Sequence, residues 1–293
     1  MSTCRIIDTF ASFATFWKGA RGKPVETQID DWASMYMPQW PELFNKQLEC
    51  YRKENVDWRQ VAREKVFPYL DDRLPAMRAA RQNLLGSCAP VYARAQEALG
   101  FESSVVFVIY VGIGCGAGWA TSFQDTPAVL FGLENIAECG WSDSGSIAGL
   151  IAHEIGHLVH KQWRAQHGRG TGSGPWWQLY SEGFAQRCEH IILGRDTWHQ
   201  AMGLNDPDWL EWCHDRKAWL AAEFMRRAND AESIRRFFGS WFDIQGRKEC
   251  GYFLGHALIK EMEKSLSMDD IASVDNIEEQ CRRFLKNLAE KNT

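Results

Sequence analysis

The sequence predicts an α+β protein that is mostly helical and contains one small mixed sheet. The run "SSVVFVIYV" at 103–111 is β-branched and aromatic, which is typical of a strand, and two shorter strand-like runs follow it. Apolar residues recur at helical spacing both before residue 100 and after residue 141. The sheet is therefore expected to lie between two helical parts of the chain.

Composition excludes several classes of protein. The chain has 293 residues, enough for one large or two small hydrophobic cores, and it is 45% hydrophobic and 24% charged. Its net charge of -5 gives no positive surface of the kind that binds nucleic acid. No apolar run reaches the roughly 18 residues of a membrane span. The nine cysteines are odd in number and scattered without a C-x-x-C pair. Asp8 interrupts any signal-peptide core, so we predict a cytoplasmic protein with reduced thiols.

The first hundred residues are predicted to be a separate helical region, 1–100, that precedes a core at 101–293. Apolar residues follow helical spacing from Pro41, which suits a first turn, to Pro68, which suits a stop. The next helix is expected to end near Gly86, and a third to span 90–99.

The remaining elements follow in chain order. "WATSF" and "PAVLFGLEN" predict two short strands divided by the turn "QDTP". Gly168 and Gly194 stand where the left-handed residue that ends a helix is expected. After Trp141 the helical period gives six candidate helices, at 144–167, 176–193, 208–229, 231–238, 250–266 and 276–291.

One of these helices carries metal-ligating residues. The stretch "SIAGLIAHEIGHLVHKQW" contains His153, Glu154 and His157 in the pattern H-E-x-x-H. Residues four apart share one face of a helix, so both imidazoles can reach the same ion. Glu154 lies beside that ion without binding it, where a general base for a metal-bound water belongs.

A catalytic zinc ion usually takes three protein ligands and leaves a position for water. His160 lies seven residues beyond His153, about 10 Å along the helix axis, too far for one ion to bridge, so we expect it beside the ligands or in solvent. The third ligand should come from the next helix, where "WWQLYSEGFAQRCEH" supplies Glu182, with Glu189 as the competing carboxylate. Trp176 and Trp177 at the start of that segment are expected to pack in the interior.

Together these motifs resemble the gluzincins, in which the third zinc ligand is a Glu within E-G-x-A on the following helix. "GLEN" at 132–135 is similar to the G-x-M-E-N signature of the zinc aminopeptidase family that includes alanyl aminopeptidase and leukotriene hydrolase. "YFLGHALI" at 252–259 is similar to that family's Y-x-x-G-x-x-L segment. The four motifs occur in the family's order.

The resemblance covers about 130–260 and departs from the family at three points. Leu133 replaces the signature's Met, and 25 positions separate His157 from Glu182, several more than the family usually has. Helical residues stand in place of the family's large N-terminal β-domain. The chain therefore resembles a compact gluzincin, similar to small predicted zinc proteases that share H-E-x-x-H and E-G-x-A.

The resemblance implies a role for each motif residue. His153, His157 and Glu182 would bind one zinc ion per chain. Glu154 would polarise the water and pass its proton to the leaving amine. Tyr252 would hydrogen-bond the oxyanion.

For the substrate, the resemblance implies that Gly132 and Glu134 bind a peptide or protein. The Glu134 carboxylate would pair with a free α-amine, and its strand would align the chain as an added strand. The implied fold is a thermolysin-like core with an edge strand over the active-site helix. The implied activity is a zinc metallopeptidase of aminopeptidase type, with no nucleic acid or membrane partner and no oligomeric state indicated.

Two alternatives remain open from the sequence, and a third is set aside. The same zinc chemistry would serve an endopeptidase, and a zinc-containing scaffold without turnover is the alternative from another class. "GIGCGA" at 112–117 formally fits a dinucleotide fingerprint, but the helix that should hold the pyrophosphate does not follow. We therefore expect a glycine-lined wall where a substrate backbone passes, with Cys115 as a small packing residue.

Overall fold

The chain forms a mostly helical protein with one four-stranded mixed sheet, which confirms the predicted α+β class. The computed structural model describes residues 2–203 and 206–290. It divides into two compact units, one made of residues up to 93 together with 102–151, the other of 94–101 together with the residues from 152 onward. This division differs from the boundary that the sequence predicts after residue 100.

The sheet belongs to the first unit. Its strands are β1 (Cys4–Asp8), β2 (Val105–Tyr110), β3 (Gly118–Phe123) and β4 (Thr126–Gly132). Their order is β1-β2-β4-β3, with β1, β2 and β4 parallel and β3 antiparallel to β4. Every residue of β2 is buried, which accounts for its unbroken apolar sequence.

Strand β1 corrects the prediction that the first hundred residues are helical. Its sequence, CRIID, is short, ends in a charge and gives no clear alternation. It becomes a strand because it pairs in parallel with β2, a partner about a hundred residues away. A local pattern cannot reveal that pairing.

The predicted turn between β3 and β4 is present, but the second strand is shorter than predicted. Gln124 and Asp125 both have positive φ, 51° and 59°, as a two-residue hairpin turn requires. Strand β4 ends at Gly132, and helix α6 (Leu133–Cys139) begins at the next residue. Glu134 therefore lies in the first turn of a helix.

The predicted break in the long N-terminal helix is absent. One helix runs from Leu70 to Leu99, through Gly86 and Pro90. Pro90 is exposed, whereas Leu84, Cys88 and Val91 continue a buried face past it. Burial of that face outweighs the roughly 3 kcal/mol that an interior proline costs a helix. The helices that start in the first unit are α1 (Phe10–Ala20), α2 (Val25–Asp31), α3 (Pro41–Lys53), α4 (Trp58–Val61), α5 (Leu70–Leu99), α6 and α7 (Ser144–Gln166).

The second unit consists of helices. They are α8 (Gly174–Leu193), α9 (His199–Gly203), α10 (Trp209–Asp215), α11 (Lys217–Asn229), α12 (Cys250–Met262), α13 (Met268–Ala272) and α14 (Ile277–Glu290). The predicted helix 208–229 is divided at Arg216, and the predicted helix 231–238 is only a short turn at Arg235–Phe237. Within the described ranges, no helix combines the length and apolar character needed to cross a membrane.

Glycines bring three helices of this unit into close contact. A Cβ on Gly183 of α8 would lie 2.1 Å from the backbone oxygen of Gly255 on α12, so the two backbones touch. A Cβ on Gly156 of α7 would lie 3.0 Å from Cα of Ala185 on α8. These four residues are the small positions of H-E-I-G-H, E-G-F-A and Y-F-L-G. Part of each motif is therefore explained by helix packing.

The Arg164 side chain bonds the segment between α7 and α8 to a later part of the chain. The guanidinium of Arg164 donates to the backbone oxygens of Gly170, Ala272 and Val274, at 2.6, 2.7 and 3.2 Å. It also lies 5.0 Å above the Trp177 ring. Gly168 and Gly194 both have positive φ, 68° and 69°, as predicted for residues that follow helix ends.

Candidate metal centre

The structure brings together the three residues predicted to bind zinc. Oε2 of Glu182 on α8 lies 3.1 Å from Nε2 of His153 and 3.2 Å from Nε2 of His157, both on α7. A tetrahedral zinc ion with bonds of about 2.1 Å holds neighbouring ligand atoms about 3.4 Å apart. The spacing of these atoms therefore fits a zinc ion with little adjustment.

The pKa shifts in this cluster show how strongly the imidazoles and the carboxylate interact. Burial alone would raise the pKa of Glu182, but the imidazoles of His157 and His153 outweigh it and hold that pKa well below its usual range. Burial would lower the pKa of His157, and the Glu182 carboxylate outweighs that effect, so its pKa is raised. Positive charge is thus favoured between these groups, and a metal ion would supply it without a proton.

Glu154 lies next to the ligands and is only 6% exposed. Its Oε2 has no hydrogen-bond partner in the described part of the chain. An enclosed carboxylate oxygen without a partner is costly unless a proton or a water is bound there. Its position beside His153 is the one predicted for a general base.

Tyr252 joins the same cluster from α12. Its ring lies 5.5 Å from the His153 ring, centroid to centroid, in an edge-on arrangement. It also contacts Phe238, with ring centroids 5.6 Å apart. Because Gly255 lets α12 touch α8, a tyrosine one turn earlier on α12 contacts His153.

His160 is placed differently from its prediction. It is 2% exposed and lies in an aromatic enclosure, with ring centroids 4.3 Å from Phe184 and 5.4 Å from Trp177. Burial lowers its pKa well below the usual value. The helix rise that separates His160 from His153 directs its ring against the aromatic face of α8, where it is a packing residue.

Sequence reasoning missed His199. Nδ1 of His199 lies 2.7 Å from Oε2 of Glu189, and the same oxygen lies 3.9 Å from Nδ1 of His153. Glu189, the competing third ligand, therefore lies nearest Nδ1 of His153, whereas Glu182 lies nearest Nε2 of the same ring. His199 begins the five-residue helix α9, which is too short for periodicity to mark it.

The two residues predicted to bind substrate, Gly132 and Glu134, lie in the first unit. Glu134 is fully buried, and its carboxylate accepts the N–H groups of Gly112 at 2.8 Å and Gly114 at 3.2 Å. Among the residues that the structure describes, β4 is bonded to a strand on each side, so it does not offer the open edge predicted for substrate alignment. A Cβ on Gly132 would lie 2.6 Å from the oxygen of Gly116.

Other amides of the glycine loop also have partners within the protein. The N–H of Ile113 donates to Oε1 of Gln47 at 3.2 Å, and that of Gly116 donates to Oδ1 of Asn135 at 3.0 Å. The loop leads into strand β3, whereas a dinucleotide fingerprint leads into a helix. Cys115 is half-buried, with its sulfur 3.8 Å from the backbone oxygen of Gln47.

The buried carboxylate of Glu134 predicts a pH-dependent stability. Burial raises its pKa from 4.5 to about 7, against the opposing effect of the Gly112 and Gly114 amides. The folded state then binds the proton more tightly than the unfolded state. The resulting stability is complete below pH 4.5 and is lost as pH rises through about 7, about 3 kcal/mol in all. We expect Glu134→Gln to flatten this decline, measured as the free energy of unfolding in urea at pH 5 and pH 8.

Glu97→Gln, which replaces an exposed carboxylate, is the control for that measurement and should leave the decline unchanged. Parallel pH curves for the wild type and Glu134→Gln would show that Glu134 is not the titrating group.

A cavity of about 690 Å³ adjoins Glu182, the third candidate ligand. Its walls include Trp177, Ser181, Ile234 and Arg235. Trp177, predicted to pack, thus borders this space while its ring stacks on His160. Trp176 is buried, as predicted, and its ring lies 5.9 Å from Phe224.

Comparisons of the chain with protein-family models, with curated proteins and with solved structures found no match. The resemblance to gluzincins therefore depends on the four short motifs alone. What the protein does has to be argued from the geometry of His153, Glu154, His157, Glu182 and Tyr252.

Proposed function

We propose that this protein is a zinc-dependent hydrolase of peptide bonds. The observation that carries the proposal is the convergence of His153, His157 and Glu182, whose ligand atoms all lie within 4.8 Å of one another. Beside them stands Glu154, which has an unpartnered carboxylate oxygen among the described residues. A metal centre and a poised base are the two components that metal-assisted hydrolysis requires.

The donor set favours zinc and a catalytic rather than a structural site. Two imidazoles and one carboxylate form one of the common ligand sets of catalytic zinc. Structural zinc sites usually close with four protein ligands, mostly cysteines. Within the described residues this group contains three ligands and no cysteine, which leaves a coordination position for water.

Glu154 and Tyr252 have separate roles in the proposed hydrolysis. Zinc, when bound, lowers the pKa of a coordinated water towards ~7 and polarises a carbonyl. Glu154 accepts the proton of the attacking water and donates it to the leaving amine. The hydroxyl of Tyr252 donates a hydrogen bond to the oxygen of the reacting amide as negative charge develops there. The cavity beside Glu182 would hold the flanking residues of the substrate.

Two further observations weigh the alternatives. The enclosed Glu134 carboxylate already binds two backbone amides, which favours an endopeptidase over an enzyme that reads a free α-amine. A scaffold that holds zinc without turnover has no need of Glu154, because that carboxylate makes no structural hydrogen bond through Oε2 within the described ranges.

Metal analysis of purified protein tests the proposal first. We expect one zinc ion per chain, and Glu182→Ala to lose it because two imidazoles alone bind weakly. Glu261→Ala, which removes an exposed carboxylate of α12, is the matched control and should keep the metal. If the wild-type protein binds no zinc even after zinc is added, and so behaves like Glu182→Ala, the proposal is wrong.

Hydrolysis is tested with a peptide library, offered with free and with N-acetylated amino termini. We expect the zinc-loaded protein to cleave peptides, a chelator to stop cleavage, and added zinc to restore it. Equal cleavage of both sets would identify an endopeptidase, whereas cleavage of free termini alone would identify an aminopeptidase. A zinc-loaded protein that cleaves neither set would contradict the proposed activity.

A further inference from the structure

Behind the metal ligands lies a second buried pair, Glu189 and His199. Glu189 is fully buried and His199 is 3% exposed. Oε2 of Glu189 lies 2.7 Å from Nδ1 of His199, and the backbone N–H of His199 donates to Oε1 of Glu189 at 3.4 Å. The carboxylate is therefore fixed by one residue at both of its oxygens. The hydrolysis outlined above makes no use of this pair.

His153 connects the pair to the metal centre. Its Nε2 faces Glu182, while its Nδ1 lies 3.9 Å from Oε2 of Glu189. In the part of the chain that the structure describes, this buried Nδ1 has no hydrogen-bond partner. An imidazole that binds a metal through Nε2 carries its proton on Nδ1, and that proton needs an acceptor. The nearest carboxylate belongs to Glu189.

We propose that Glu189 is a positioning residue for His153, accepting the Nδ1 proton of that ring when Nε2 binds zinc, while His199 holds the carboxylate in place. The inference rests on the proposed zinc site. The present 3.9 Å separation has to shorten by about 1 Å to form the hydrogen bond, so the His153 ring or the Glu189 carboxylate has to move by that amount when zinc binds. His153 would then have a single tautomer and a fixed direction.

The same three side chains also lie close enough to hold a metal ion of their own. Two observations disfavour that reading. Glu189 and His199 are already joined at hydrogen-bond distance, and both are buried. A second ion on Nδ1 would also require His153 to lose both ring protons and bridge two cations, which neutral imidazole does not do. A second ion is therefore an outcome that the test must detect.

The test is Glu189→Gln, which keeps the size of the side chain and removes its charge. Zinc affinity, measured by competition with a chelator, is expected to weaken by about 10- to 100-fold, the usual cost of losing a partner of a metal-bound histidine. The visible spectrum of the cobalt-loaded variant should shift, because the direction and basicity of the His153 ligand change. A variant that was merely less stable would show neither effect in its folded fraction.

Gln186→Ala is the matched control. Gln186 lies on α8 about one turn before Glu189, is fully buried, and donates to the backbone oxygen of Thr197 at 2.9 Å. Among the described residues its side-chain hydrogen bonds join His190, Thr197 and Gln200, and none joins His153. We expect this variant to lose stability and to keep the zinc affinity and cobalt spectrum of the wild type.

A measurement on the wild type does not depend on any variant folding. In the zinc-loaded protein, proton–nitrogen NMR should show a slowly exchanging, strongly hydrogen-bonded proton on Nδ1 of His153. A rapidly exchanging proton there, or unchanged zinc affinity in Glu189→Gln, would overturn the inference while leaving the zinc site intact. Two zinc ions per chain would overturn it in favour of a second metal site. A wild type that binds no zinc would instead refute the proposed function.

Discussion

Glu154→Gln is expected to lower kcat for peptide hydrolysis by about a thousand-fold while the protein keeps one zinc ion per chain. The amide of glutamine has the size of the carboxylate but cannot take a proton from water. Glu154 is not among the three residues whose ligand atoms converge, so the metal should stay. Rate and metal content therefore separate in this variant, whereas in Glu182→Ala they fall together.

The comparison requires kcat and metal content on the same preparation. Glu154→Asp should keep part of the activity, since the carboxylate is retained but withdrawn by one methylene. Glu261→Gln, an exposed position on α12, should behave as the wild type. Retained turnover in Glu154→Gln would place the general base elsewhere and would leave the buried carboxylate without a role.

The second large effect is expected at the helix crossing. Gly183→Ala places a Cβ 2.1 Å from the backbone oxygen of Gly255, so α8 and α12 have to separate. Because the atoms in the way belong to the backbone and cannot rotate aside like a side chain, we expect the free energy of unfolding to fall by about 3 kcal/mol. Zinc affinity should fall as well, because Glu182 adjoins the displaced residue.

Thermal and urea unfolding measure this prediction. Gly86→Ala is the matched control, since a Cβ there meets nothing within 4 Å in helix α5, and it should raise stability by up to about 1 kcal/mol. The double variant Gly183→Ala with Gly255→Ala should lose less stability than the sum of the losses of the two single variants, because one separation of α8 and α12 makes room for both methyl groups. Full stability in Gly183→Ala would show that the helices are not in backbone contact.

Local periodicity predicted the elements that carry the site. Helices α7 and α8 are long and patterned, and their predicted bounds differ from the observed ones by two residues at most. Strand β1 and the unbroken helix α5 escaped prediction because distant packing decides both. The first needs β2 as a partner, and the second keeps its buried face across Pro90.

The convergence of the three candidate metal ligands was predictable for a similar reason. His153 and His157 share a helix face, and Glu182 lies on the helix that the glycine-rich turn brings back. His199 was not predictable, since it begins a helix of only five residues and its role depends on a contact with Glu189. The burial of Glu134 was not predictable either, because the sequence predicts a strand that continues through Glu134, whereas the observed strand ends at Gly132.

Arg164 connects one wall of the cavity, Trp177, to residues 272–274. Its guanidinium lies over Trp177, which borders the cavity, and it donates to carbonyls at 272 and 274. Trimming the chain before Ala272 would remove two of its acceptors and release the tryptophan that it covers. A shortened version made for crystallisation should therefore retain these residues, because their loss would change one wall of this cavity.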